Sequence, residues 1–214
     1  MRILVTGFDP FGNETVNPAY EAVKLLPDSI AGAEIIKLEI PTVFGKCDAV
    51  VEQAIIDKKP DVVLSIGQAG GRFDISVERV AVNIADGRIP DNEGNQPIDQ
   101  TIREGGENAY FASVPVKAMV EKIRSKGIPS SVSYTAGSYV CNYIMYCVLH
   151  STVTKHHGIR AGFIHVPYMP SQAIGKPVNT PSMSLESIAM AIIAAIEAIV
   201  EHKSDIGTAE GQIS

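Results

Sequence analysis

Short apolar runs that open into glycine alternate along this chain with stretches of helical periodicity. That alternation is the strongest constraint on its fold. Arg2–Phe8 (RILVTGF) and Asp61–Ile66 (DVVLSI) are apolar runs of strand length, and the second opens into Gly67-Gln68-Ala69-Gly70-Gly71. Runs without polar alternation suit strands covered on both faces. Ala33–Ile40, stopped by Pro41, Ser131–Thr135 and Ile159–Val166 read as further strands. Helical stretches fall between them. Asn17 before Pro18 offers an N-cap followed by proline at the first helical position, and that helix should end before Pro27. Phe44–Lys59, Pro115–Lys126 (closed by Gly127), Cys141–Lys155 and Ser184–Glu201 complete the helical set.

One strand breaks the pattern. In Ile75–Ile84, Ile75 and Val77 share one phase, while Val80, Val82 and Ile84 share the other. A slip of one residue predicts a bulge near Glu78 and Arg79. Asp86–Pro97 (DGRIPDNEGNQP) is dense in turn formers and predicts a long loop of the kind that carries function. The whole reads as one α/β domain over 1–214, a three-layer α/β/α sandwich around a mostly parallel, mixed sheet, with a polar and frayed tail from about 203. Sites in such folds lie at the carboxyl ends of strands. Gly7–Gly12, Gly67–Gly71, Ala136–Cys141 and His165–Pro170 are the segments to watch.

Composition narrows the function. Lys and Arg number 18 and Asp and Glu 24 among 214 residues, a formal charge of −6. No basic cluster offers a nucleic acid footprint. The longest apolar stretch, Ser187–Val200, is too short to span a bilayer and carries Glu197. MRILVTGF runs straight into a strand, with no signal-peptide pattern, so a cytoplasmic protein without membrane contact is expected. Cys47, Cys141 and Cys147 are three thiols, which speaks for a reducing compartment rather than a disulfide framework. Cys141 and Cys147 would stand about 240° apart around a helix. No cysteine or histidine spacing suggests a metal site, and no cofactor is expected.

Three residues could carry nucleophilic chemistry. Cys141 follows a strand and the turn TAGSYV, at or near a helix start. Unpaired N–H groups there favour a thiolate and could hold an oxyanion. The alternative is an inert buried thiol. His165 closes a strand and could face the same cleft, or could be a core histidine satisfied by a carbonyl. Glu78, at the slip, could orient a histidine, or pair with the neighbouring Arg79. The glycine loop at Gly67–Gly71 lacks the Lys-Ser/Thr of a P-loop and better suits backbone contact with a small ligand. Phe8 and Phe11, on a tight turn, could form a flat apolar slot or simply fill core space.

Taken together, GFDPFGNETVNP (Gly7–Pro18), PTVF (Pro41–Phe44), GQAGGR (Gly67–Arg72), ISVERVAVN (Ile75–Asn83), RIPDNEGNQP (Arg88–Pro97), SYTAGSYVCN (Ser133–Asn142) and GFIHVPY (Gly162–Tyr168) resemble the pyroglutamyl peptidase I family. The motifs run in order from the first strand to about Pro170. The resemblance implies removal of an N-terminal pyroglutamyl residue from peptides. It implies Cys141 as nucleophile, His165 as base and Glu78 as acid, with Arg88 stabilising the transition state. It places Phe8 and Phe11 around the lactam ring, and Asn17 and the Gln68 loop near the substrate. Relatives are often homotetramers, so self-association is expected on the same ground. The other readings are a nucleoside phosphorylase-like enzyme, which would need phosphate and no Cys141, and a catalytically silent lactam-binding protein. Fold alone does not choose among them.

Overall fold

A computed structural model describes residues 1–211. Its centre is a seven-stranded sheet in the order β2-β3-β1-β4-β9-β5-β8. The strands are β1 (Arg2–Phe8), β2 (Ser29–Ile30), β3 (Ala33–Ile40), β4 (Val62–Gln68), β5 (Ile75–Glu78), β8 (Ser130–Ser133) and β9 (Arg160–Val166). β3, β1, β4 and β9 run parallel, and β5 pairs parallel with β8. β5 against β9 and β2 against β3 are antiparallel. The sheet is therefore mixed and mostly parallel, as the alternation of elements predicts.

Helices cover both faces. They are α1 (Pro18–Lys24), α2 (Cys47–Lys58), α3 (Val116–Ser125), α4 (Val140–Thr154), α5 (Pro170–Ala173) and α6 (Leu185–Glu201). Two glycines show which helix lies where. A Cβ on Gly7 would stand 2.6 Å from the backbone of Tyr20 in α1. A Cβ on Gly67 would stand 2.9 Å from Cys141 Sγ in α4. Gly7 pairs with Ile66, the residue before Gly67, so by the alternation of strand side chains the two glycines point to opposite faces. α1 packs with α6, and α6 with α3, on one side; α2 and α4 pack together on the other.

Local signals behave as the residues dictate. Asn17 caps α1 by accepting from Ala19 N–H at 3.0 Å, with Pro18 at the first helical position. Ser184 caps α6 by accepting from Ser187 N–H. Gly127, at φ +76°, stands just beyond the end of α3.

Two expectations need correction. The slip in Ile75–Ile84 is a change of sheet rather than a bulge in one strand. β5 ends at Glu78, and β6 (Val80–Val82) pairs only with β7 (Ala109–Phe111) in a separate ribbon. The cause is local: Arg79 N–H donates to Ser133 O and Arg79 O accepts from Ala112 N–H, which turns the chain out of the sheet. Asn142 of α4 then receives it, bonding the N–H and C=O of Val82 and the C=O of Ile84. The tail from 203 is polar but docked. The Asp205 carboxylate accepts from Lys117 and Ala118 N–H, capping α3 from 88 positions away, and Glu210 grips Arg124 with both oxygens at 2.8 and 3.0 Å. The expectation of fraying over 212–214 lies outside the described residues.

Candidate active site

The carboxyl ends of β4 and β9, with the antiparallel β5 alongside β9, meet the start of α4. His165 sits between Gly67 of β4 and Ser76 of β5 in the strand register. Ser76 and Glu78 alternate to the same face as His165. Glu78 is wholly buried and His165 is 4% exposed. His165 Nδ1 and Glu78 Oε1 lie 2.7 Å apart, a hydrogen bond that fixes the ring and turns Nε2 outward. The ring also packs on Phe163, with centroids 4.8 Å apart.

Cys141 is the second residue of α4 and is part-exposed. Its Sγ stands over Gly67, where the missing side chain makes room beside His165. Thiol and imidazole thus share one face of the sheet on adjoining positions. Cys141 Sγ makes no hydrogen bond to another described residue. Tyr139, the N-cap of α4, provides no side-chain cap, and the first turn holds no acid. The early N–H groups of α4 are therefore left for an external acceptor.

Electrostatics at the thiol oppose the helix start. Burial, with a smaller push from Glu78, raises the thiol to about 12, while Arg72 acts the other way. Burial also lowers His165 below its ordinary 6.5, against the hydrogen bond and charge of Glu78, with Arg72 lowering it further. Both shifts favour the neutral forms, thiol and imidazole.

The surrounding loops are laced together. Ser138 and Asp86 exchange hydrogen bonds, and Tyr139 Oη donates to Pro90 O at 2.9 Å. Asn92 reaches Asp9 and Pro10, while Asp9 accepts from Thr42 N–H at 2.7 Å. Asp91 is the hub: it accepts from Phe44, Glu93 and Asn95 N–H. Burial alone would raise its carboxyl; the Asn95 side chain and those N–H groups outweigh burial and hold it low. An aromatic group of Phe11, Tyr139 and Phe44 lines this edge, with ring centroids 6.4 and 5.4 Å apart.

Not every expected residue reaches the cleft in the same way. Phe8 is 2% exposed and belongs to the core beside Gly67; only Phe11 of the pair is part-exposed. Asn17 spends its side chain on the α1 cap and on Asp9 O. Gln68 is buried, its Oε1 taking a hydrogen bond from Gln172 at 2.9 Å. Arg88 is exposed and has no hydrogen bond or ion pair to a described residue. Glu78 pairs not with Arg79, as the alternative reading had it, but with Arg72, at 2.6 Å. Arg79 turns to Asp205 and lies over the Phe111 ring. Arg72 is a functional candidate that the sequence did not single out. Its only signal there was its place at the end of GQAGGR. Among the described residues no three His, Cys, Asp or Glu side chains cluster to hold a metal ion, and no helix is long and apolar enough to cross a membrane.

An open, helix-start cysteine beside an acid-braced histidine on an α/β sheet fits a cysteine-type hydrolase. Comparison with known proteins gives the family. The pyroglutamyl peptidase family model matches residues 1–202. The pyrrolidone-carboxylate peptidase of Clostridium botulinum is 58% identical over all of both chains, and that of Treponema denticola 56%. The crystal structure of pyroglutamyl peptidase I from Bacillus amyloliquefaciens superposes with a TM-score of 0.93 at 49% identity, covering 97% of this chain and 99% of that one. The chain belongs to the pyroglutamyl peptidase family of cysteine-type hydrolases.

Proposed function

We propose that the protein cleaves the bond after an N-terminal pyroglutamyl residue through a Cys141–His165–Glu78 triad and a thioester intermediate. The observation that carries the reading is the buried Glu78–His165 hydrogen bond aligned beside the Cys141 thiol. Sγ attacks the pyroglutamyl carbonyl carbon as its proton passes to His165 Nε2. The oxyanion forms against the free N–H groups at the start of α4. His165 returns the proton to the leaving amine, the C–N bond breaks, and the thioester remains. Water then attacks with His165 as base, and Cys141 recovers its proton as pyroglutamate leaves.

The substrate is a flat, neutral lactam. Phe11 supplies an apolar face, Phe8 backs the slot from the core, and the Gln68 loop and Asn17 segment supply backbone partners. A site that hydrogen-bonds the lactam rejects residues that leave those partners unpaired. Arg88, with no hydrogen bond or ion pair to a described residue, is assigned to the developing oxyanion. The same proposal includes one catalytic domain, a cytoplasmic location and a homotetramer, the last to be read by sedimentation. The test is turnover of a pyroglutamyl-arylamide. Cys141→Ala should abolish it; full turnover by that variant overturns the reading.

A further inference from the structure

We infer that Arg72 is a positioning residue of this site, tying down Glu78 and balancing its charge so that His165 works as a neutral base. The inference rests on the triad proposed above. Glu78 lies at the end of a strand with no exposed surface. Its two oxygens are used unequally. Oε1 meets both His165 Nδ1 at 2.7 Å and Arg72 Nη1 at 2.6 Å, while Oε2 is buried without a partner. A buried carboxylate needs a compensating cation, and a neutral imidazole does not supply one. Among the described residues Arg72 is the only lysine or arginine within ion-pair distance of Glu78.

Arg72 is held from several sides. Nη2 donates to Thr135 O at 3.0 Å, and Nη1 lies 3.4 Å from Ser133 Oγ. Gly71, at φ +95°, lets the β4–β5 loop turn so that the next side chain reaches back over β5 and β8. The guanidinium thus bridges three segments and holds the same carboxylate oxygen that bonds the ring. The groups that act on His165 are few. Glu78 comes from β5, Arg72 from the β4–β5 loop and Cys141 from α4; Gly67 and Phe163 bring no charge. Glu78 alone would make His165 more basic and Cys141 less acidic. Arg72 opposes both effects.

The test is the pH dependence of kcat/KM on a pyroglutamyl-arylamide for wild type, Arg72→Gln, Arg72→Met and Arg72→Lys, each checked for folding by thermal unfolding. Gln keeps a donor for Glu78 and Thr135 but removes the charge. In Gln and Met the acid limb should move up by about 1–3 pH units, as expected for loss of a charge at this range. kcat should fall more than KM changes. Lys should restore the limb. Alkylation of Cys141 by iodoacetamide, read without turnover, should need higher pH in the neutral variants. Folded Gln or Met variants that lose rate at an unmoved limb, or a Lys variant no better than Gln, overturn the inference. Cys141→Ser in the same assay separates the cases: full activity there removes the triad itself, whereas an unmoved limb beside an inactive Cys141→Ser removes only the role of Arg72.

Discussion

The face of the sheet under α1, α3 and α6 and the face under α2 and α4 are built from different chemistry. On the first, α6 buries Ile188, Ile192, Ile196 and Ile199 with a set of alanines, and no polar side chain of that helix is buried. On the second, Thr6 bonds Ser65, Asn142 holds the departing chain of β6, and Glu78, His165 and Cys141 gather. The difference is one of division of labour. Apolar burial on the α6 face supplies stability without direction. That surplus offsets the desolvation of a carboxylate and an imidazole on the α4 face. Polar groups there bring direction, because each hydrogen bond has one geometry.

Substitutions on the two faces should therefore fail differently. The largest effect is expected on the α4 face. Glu78→Gln should lower kcat/KM by about 10³–10⁴-fold, because His165 loses the partner that sets its tautomer and stabilises its protonated form. A loss under tenfold in steady-state kinetics would detach Glu78 from the chemistry. On the α6 face, Ile196→Ala should cost about 2–5 kcal/mol in denaturant unfolding, with activity per folded molecule unchanged. Loss of specific activity there would break the division. Gly67→Ala, on the α4 face, should disturb both stability and activity. Its methyl would stand 2.6 Å from the Phe163 ring and 2.9 Å from Cys141 Sγ, so about 1–3 kcal/mol of strain and a fall in turnover should appear together. A stable, fully active variant would mean that the thiol stands elsewhere.

The smallest effect is a pH limit. Activity needs neutral His165, whose pKa is lowered below 6.5 by burial. The rate should hold down to a pH below 6.5 and fall as pH drops through the lowered value. An acid limb above 6.5 in kcat/KM would show that Glu78 outweighs burial.

The layered fold was legible because its strands are self-contained signals. β3 spans Ala33–Ile40 as read, stopped by Pro41, and β1 spans Arg2–Phe8. β2, β7 and α5 were not read, since two to four residues carry no period. The slip near Glu78 was visible, but its outcome depended on Asn142, sixty residues away. The docked tail was equally hidden: Asp205 looks like a surface acid until α3 presents its uncapped N–H groups. At the site, motif order brought out Cys141, His165 and Glu78. Sequence adjacency pointed to Arg79 as the partner of Glu78, whereas the turn at Gly71 delivers Arg72. The push of the surroundings on the thiol was hidden as well, because the helix start was evident in the sequence and the packing and Glu78 charge around Sγ were not.

The central claim is that Cys141 carries the acyl group. A rapid-quench reaction with a pyroglutamyl ester, digested at low pH and read by mass spectrometry, tests it directly. The account predicts a pyroglutamyl thioester on the peptide that contains Cys141, absent in Cys141→Ser. Turnover with the acyl group on another residue, or undiminished turnover in Cys141→Ser, would contradict it.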